Sequence, residues 1–183
     1  ISSAESVALI RDAKKNGLDI SCSVALANLC YTEEQVIGFD TNAKLIPPLR
    51  TKEDQTALKE GLLDGTIDMI TSHHQPLNKE LKHVEFEHAT PGTIGLEAMF
   101  GVLMTLFPLE KTIQLLTKGK ERFGVQNHMI QLGEMACLSL FTPDGSSNFG
   151  EENIYSTAKN CIFIGQTTQG KVYGSIHGNK SMV

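Results

Sequence analysis

The sequence lacks an excess of basic residues. Its 16 Lys and Arg are outnumbered by 21 Asp and Glu, which gives a formal net charge of −5. This balance argues against a nucleic-acid partner, because a phosphate-binding surface needs clustered Lys and Arg. A long apolar run is also missing: the longest near-apolar stretch, residues 94–109, is shorter than the roughly 20 residues that cross a bilayer. No basic and apolar signal segment opens the chain, so we expect a cytoplasmic protein without a membrane partner.

Closely spaced cysteines are absent as well. Structural zinc sites usually place two ligands roughly two to four residues apart, whereas the four cysteines here are far from one another. They are Cys22, Cys30, Cys137 and Cys161. Buried free thiols, which pack as small hydrophobic groups, are the simplest interpretation. The 183 residues are 40% apolar, 20% charged and only 6% aromatic, as in one soluble domain or a piece of a larger one.

The first half of the sequence predicts the order helix, strand, helix, strand. Ser2 and Glu5 have the spacing of a capping box and predict the start of the first helix. Residues 18–29 predict a buried strand that runs into a loop. Thr51 caps the next helix, and residues 67–71 form a second short strand. Two strands joined through a helix form a parallel unit, so we expect the strands to pair in parallel.

Two adjacent histidines follow the second predicted strand. In parallel sheets and barrels, the loops after the C-terminal ends of the strands carry the chemistry. His73 and His74 lie at that place and are candidate site residues. The alternative is a structural pair whose rings form hydrogen bonds with the backbone of the loop.

The second half of the sequence has a different character. Residues 94–106 and 109–116 predict two helices. Residues 138–141, 161–164 and 171–176 predict short strands separated by turns rich in Gly, Ser, Asn and Asp. The change of character lies near residues 131–134, where we expect a domain boundary.

A series of short motifs runs through nearly the whole chain. Its members are Ile1–Glu5, Asp40–Asn42, Lys44, Pro47–Arg50, Asp64–Asp68, Gly92, Gly95–Glu97, Lys159, Asn160, Phe163, Gly165 and Gly170–Val172. In this order they resemble the C-terminal half of a dihydroorotase. The resemblance implies a metal-dependent hydrolase of the amidohydrolase superfamily, which folds as a (β/α)8 barrel and interconverts N-carbamoyl-aspartate and dihydroorotate in pyrimidine biosynthesis.

The resemblance implies an α/β fold in which the chain supplies only part of the TIM (β/α)8 barrel. Residues 1–133 would form its last two strands and their helices, and residues 134–183 would form the C-terminal strands of an accessory β domain. A complete barrel takes about 250 residues, so we expect a fragment with open strand edges. The missing N-terminal half of the barrel, or a second copy of the chain, would cover them.

The resemblance also implies a site, and this sequence departs from the family there. Family members use zinc-type ions to activate water and an aspartate to move the proton. That aspartate opens the family motif Asp-His-Ala-Pro-His, and the corresponding run here is His73, His74, Gln75, Pro76 and Leu77. His73 is therefore the candidate catalytic residue. The substrate contacts implied by the resemblance are His74, Ile46, Pro91 and Gly92, with Ile46 in place of an asparagine.

Zinc belongs to the family, but we expect this chain to hold none by itself. By the resemblance, the remaining metal-binding histidines precede Ile1. Paired family histidines near Leu29 are replaced here by Ala27 and Asn28. The sequence therefore supplies no set of metal ligands.

Three functions are consistent with these residues. The intact protein could be a working zinc-dependent dihydroorotase with an altered metal centre, a silent relative that assembles with aspartate transcarbamoylase, or a small-molecule sensor that keeps the pocket. By the resemblance, three residues of the implied site are replaced: the aspartate by His73, an amide by Ile46 and a histidine by Leu77. The motifs of the scaffold are retained. These departures favour a catalytically impaired or silent dihydroorotase-like protein.

Overall fold

The chain, described by a computed structural model over residues 1–125 and 128–182, divides into two units. The first unit comprises residues 1–99 and 150–164, and the second comprises residues 100–149 together with the chain from residue 165 onward. The predicted domains, 1–133 and 134–183, stay a prediction. In the described part of the chain, no helix is long and apolar enough to cross a membrane.

The first unit contains two short parallel strands flanked by helices. Its elements are α1 (Ala4–Lys15), β1 (Ser23–Ala25), α2 (Leu26–Cys30), α3 (Lys52–Leu63), β2 (Met69–Thr71), α4 (Lys79–Lys82) and the 3-10 turns Glu33–Val36, Thr41–Ala43 and Glu151–Asn153. The strands pair with Ser23 opposite Met69 and Ala25 opposite Thr71. The predicted parallel unit is therefore confirmed.

Capping explains where the two long helices of this unit begin. The Thr51 hydroxyl accepts the Asp54 N–H, so the predicted cap at Thr51 is confirmed. The Asp54 carboxylate in turn accepts the Thr51 N–H, which completes a capping box that was not predicted. The predicted box at the first helix is wrong. Ser3 is the N-cap there, because its hydroxyl accepts the Ser6 N–H at 3.3 Å.

The first strand is shorter than the sequence suggests. Within residues 18–29 the strand covers only Ser23–Ala25, and the helix α2 begins at Leu26 where a loop was predicted. Leu26, Ala27 and Leu29 are fully buried, so an apolar run of this length does not reveal whether it is strand or helix. Other side chains of the same core are Val7, Val24, Leu58, Leu62, Ile67, Ile94 and Phe163.

The second unit contains a three-stranded antiparallel sheet and helices. Its elements are α5 (Met99–Leu106, of which Met99 belongs to the first unit), α6 (Leu109–Thr117), α7 (Gly119–Arg122), β3 (Cys137–Asn148), β4 (Thr167–His177) and β5 (Lys180–Met182). The strand order is β3-β4-β5. Strands at 138–141 and 171–176 are confirmed within longer ones, but the strand predicted at 161–164 is wrong. That segment is a turn with Phe163 fully buried.

Candidate functional site

The two candidate histidines lie immediately after β2, on a segment that continues beside residues 90–95. His74 forms an isolated parallel bridge with Thr93, and the Gln75 N–H donates to the Thr93 carbonyl at 2.8 Å. This pairing brings the His74 segment next to Pro91 and Gly92. Three of the predicted site residues therefore occupy neighbouring backbone segments at the C-terminal end of β2.

His73 is exposed and has an unusual backbone. Its φ is 49°, in the left-handed region that costs an L-residue roughly 1 kcal/mol, although His, Asn and Asp adopt it more readily than most. An exposed imidazole at a strand end is open to solvent and to a ligand. The catalytic role of His73 stays a prediction.

His74 is held in a defined tautomer by the backbone. The Leu96 N–H donates to its Nδ1 at 3.2 Å. The neutral ring therefore carries its proton on Nε2, and Nε2–H is a hydrogen-bond donor. This arrangement allows His74 to donate to a carboxylate or carbonyl oxygen of a ligand. The contact also shows that the ring forms a backbone hydrogen bond, as in the structural alternative.

The carboxylate of Glu97 lies next to the His74 ring. Its Oε1 accepts the Ser156 N–H at 3.3 Å, and its Oε2 lies 3.5 Å from the His74 Nδ1. Within the described residues, this buried Oε2 has no hydrogen-bond partner. Glu97 was recognised from the sequence only as part of a motif, because nothing in its spacing relates it to His74.

Gly92 is buried in a backbone conformation that L-residues rarely adopt. Its φ is +145°, and an added Cβ would approach the Gln75 Oε1 to 2.7 Å. The Gly92 N–H donates to the Lys44 carbonyl at 2.9 Å. Its carbonyl accepts two hydrogen bonds, from Lys82 Nζ at 3.0 Å and from Asn160 Nδ2 at 3.3 Å. Both polar backbone groups of Gly92 are thus already bound within the chain.

Asn160 joins the two site segments. Its Nδ2 donates to the Gln75 carbonyl at 2.9 Å, and its Oδ1 accepts the Leu77 N–H at 2.9 Å. Its own carbonyl accepts the Ile94 N–H at 2.7 Å. The amide therefore fixes the loop after His74 against the Gly92 segment. The sequence placed Asn160 in a motif and did not identify this role, because its partners lie more than 65 residues away.

Lys82 was missed entirely, since it lies in a polar segment that looks solvated in the sequence. It is only 3% exposed. Its Nζ donates to three backbone carbonyls, those of Thr90 at 3.1 Å, Gly92 at 3.0 Å and Thr41. Burial lowers the pKa of Lys82 to about 8, the carboxylate of Asp40 opposes that shift, and the ammonium of Lys44 adds to it.

Ile46 remains at the surface, on the loop that follows Lys44. It is 65% exposed, so an apolar side chain faces solvent where the resemblance implies an amide that holds the substrate ring. Leu77 is half-buried, and its backbone N–H is the group bound by Asn160. The structure thus brings His74, Pro91 and Gly92 together and leaves the side chains of His73 and Ile46 exposed.

The residues of this chain do not by themselves fit a zinc centre. Within residues 1–125 and 128–182, no group of three or more His, Cys, Asp or Glu is arranged to hold a metal ion. At the family's paired-histidine position, Ala27 has no donor atom. The Nδ2 of Asn28 donates to the Pro48 carbonyl at 2.9 Å.

Comparison with known proteins finds similarity in sequence and in fold. No protein-family profile matches the chain. A dihydroorotase from Caldicellulosiruptor saccharolyticus is 39% identical over 187 residues, which cover 98% of this chain and 44% of that protein. Among solved structures, D-hydantoinase (dihydropyrimidinase) from Thermus sp. matches with a TM-score of 0.86 and 20% identity, covering 100% of this chain and 43% of that one.

A further structural match is the inactive dihydroorotase-like domain of the Chaetomium thermophilum CAD-like multifunctional protein. The TM-score is 0.69 at 19% identity, over 99% of this chain and 49% of that one. The chain therefore spans less than half the length of each of these proteins. At these identities the structural matches establish the fold alone.

Proposed function

Because the chain is homologous to dihydroorotases and matches the C-terminal part of amidohydrolase barrel proteins, we propose that it belongs to a cytoplasmic dihydroorotase-like protein with impaired catalysis. The predicted resemblance to dihydroorotases is confirmed. The proposed ligand is a cyclic amide such as dihydroorotate, or its ring-opened N-carbamoyl amino acid. Activity, substrate and partners of the intact protein are all part of this proposal.

In this proposal β1 and β2 are the last two strands of the barrel, and β3–β5 belong to the accessory β domain. The parallel pairing of β1 with β2 supports the first assignment, and the antiparallel order of β3-β4-β5 supports the second. The outer edges of the parallel pair would be covered by the N-terminal half of the barrel or by a second copy. Zinc would then depend on ligands that these residues do not supply.

One observation carries the proposal: the family's proton-moving aspartate is replaced by His73 at the C-terminal end of β2. A carboxylate gives a negative charge beside the reacting water and accepts its proton. An imidazole can accept a proton, but it is larger, and it is neutral or positive rather than negative. The loss of that charge predicts weak or absent turnover, while the Nε2–H of His74 remains able to donate to a ligand oxygen.

The test is an assay of the intact protein in both directions, with N-carbamoyl-aspartate and with dihydroorotate. We expect no turnover above background for the wild type. We expect His73→Asp alone to stay low, and the triple change His73→Asp, Ile46→Asn, Leu77→His to gain most. His83→Asp, an exposed histidine on the loop after α4, is the matched control. Wild-type turnover near roughly one per second would refute the proposal.

A non-catalytic partner of aspartate transcarbamoylase is the second candidate function. It is favoured by three changes at one site, at positions 46, 73 and 77, beside an intact network around Asn160. Co-purification of the intact protein with a transcarbamoylase would support it. Metal analysis separates it from the enzyme, because a working centre would carry two divalent ions per chain and a decayed one fewer than one.

A further inference from the structure

Lys82 is a buried lysine whose charge is satisfied by backbone oxygens. An ammonium group has three N–H donors, and a buried charge is tolerated only when such donors are matched. The Nζ of Lys82 donates to three carbonyls, one for each N–H: those of Thr90 at 3.1 Å, Gly92 at 3.0 Å and Thr41. A neutral residue of similar volume would fill the same space without this desolvation cost. Burial alone therefore does not explain why a lysine is there.

The three carbonyls belong to the two segments that form one side of the proposed pocket. The Thr90 and Gly92 carbonyls flank Pro91, so both ends of the Pro91–Gly92 segment are bound to the same Nζ. Thr41 opens the 3-10 turn Thr41–Ala43. The next residue, Lys44, accepts the Gly92 N–H at 2.9 Å. Lys82 thus joins the segment before Ile46 to the segment that contains Gly92.

The backbone bonds around Lys82 make this connection rigid. The Thr90 N–H donates to the carbonyl of Leu81, the residue before Lys82, at 2.9 Å. Rotation of the Pro91–Gly92 segment would therefore break bonds to the Lys82 ammonium and to the α4 backbone together. Lys79, by contrast, is exposed at the start of the same helix.

We propose that Lys82 is a positioning residue of the ligand site: its ammonium group fixes the orientation of Pro91–Gly92 and couples it to Thr41–Lys44. This rests on the proposed function, in which the Pro91–Gly92 segment contacts the cyclic amide. Lys82 itself touches no ligand in this proposal. It acts through the backbone groups that it holds.

The test compares Lys82→Met with Lys79→Met in the intact protein. Amide hydrogen exchange is measured at Gly92 and Thr90 by NMR, and dihydroorotate affinity is measured by titration. Loss of a charged hydrogen-bond donor should raise exchange at both amides about tenfold and weaken binding about tenfold. Lys79→Met should leave both quantities unchanged. A folded Lys82→Met protein with wild-type exchange at Gly92 would overturn the proposal.

A second variant decides the question if Lys82→Met does not fold. Lys82→Arg keeps the charge, but its planar guanidinium cannot place donors on the same carbonyls in the same directions. Faster exchange at Gly92 with weaker binding supports positioning, and wild-type values for both contradict it. The two proposals fail differently. Suppose that the wild type does not bind dihydroorotate but that amide exchange at Gly92 still rises in Lys82→Met. This result would refute the proposed ligand and would support the positioning role of Lys82.

Discussion

The two ends of the β1–β2 pair have different polar chemistry. At the N-terminal ends, Lys14 Nζ lies 2.7 Å from Asp68 Oδ1, and the Cys22 N–H donates to Asp68 Oδ2 at 2.9 Å. Lys14 also donates to the Gly65 carbonyl. Each of these groups connects the helix α1 or the strand β1 to the start of β2. This end of the sheet is held by matched charges and hydrogen bonds.

The C-terminal ends carry exposed or incompletely matched groups. His73 is exposed with a left-handed backbone. Asn28 Oδ1 and Glu97 Oε2 are buried without a hydrogen-bond partner in the part of the chain that the structure describes. In barrels the N-terminal face serves stability and the C-terminal face serves chemistry. The comparison shows that matched charges and hydrogen bonds lie at the N-terminal ends of β1 and β2, whereas exposed or unmatched polar groups lie at the C-terminal ends.

The largest effect on stability is expected at the N-terminal ends of β1 and β2, where Asp68 lies. Asp68→Ala leaves the Cys22 N–H without its acceptor and removes the ionic partner of Lys14. We expect the free energy of unfolding to fall by about 2 kcal/mol, because one buried donor and one half-buried charge lose their partner. Chemical denaturation measures this. Asp12→Ala, at an exposed position of α1, is the control. Equal effects of the two changes would remove the distinction between the ends.

A smaller and pH-dependent effect is expected where α3 begins near α1. The Asp54 carboxylate accepts hydrogen bonds from the Ala4 N–H and from the Thr51 hydroxyl and N–H. These bonds, the one from Ala4 most of all, lower the pKa of Asp54 below its ordinary value of 3.8, whereas burial acts in the opposite direction. A lowered folded pKa means stability that is full above the unfolded value and is lost as pH falls through the folded one.

Asp54 is the capping-box partner of Thr51 in the first turn of α3, so Asp54→Asn should lower the free energy of unfolding by about 1 kcal/mol at neutral pH and by less in acid. Denaturation curves between neutral pH and about pH 2 measure the difference between variant and wild type. Glu53→Gln, an exposed change in the same helical turn, is the control. A cost for Asp54→Asn that stays constant down to low pH would contradict the role of the carboxylate.

Local sequence rules predicted the elements whose signals are local. The cap predicted at Thr51 marks the start of α3, and the second short strand lies at Met69–Thr71, within its predicted range. The rules failed where burial decided the outcome. Residues 161–164 are apolar like a strand but form a turn around Phe163, and residues 18–29, predicted as a strand that runs into a loop, form a helix after Ala25.

The site was predictable only in its position. The histidine pair follows β2 as expected, because the end of a strand can be read from the sequence. Lys82 and Asn160 could not be assigned their contacts. The Thr41 carbonyl bound by Lys82 lies 41 residues away, and the Gln75 carbonyl bound by Asn160 lies 85 residues away. Such pairs depend on the tertiary fold, and no local spacing encodes them.

The smallest effect is expected at the C-terminal end of β2, where His73→Asn should change the free energy of unfolding by less than about 0.5 kcal/mol. Asn adopts the left-handed conformation at φ 49° as readily as His, and the side chain is exposed. His73→Val, a β-branched residue in the same conformation, should cost about 1 kcal/mol through backbone strain alone. Thermal unfolding of both variants separates the two interpretations of His73. If His73→Asn lowers the free energy of unfolding as much as His73→Val does, the imidazole stabilises the loop. If His73→Asn leaves that free energy unchanged, position 73 has no structural role.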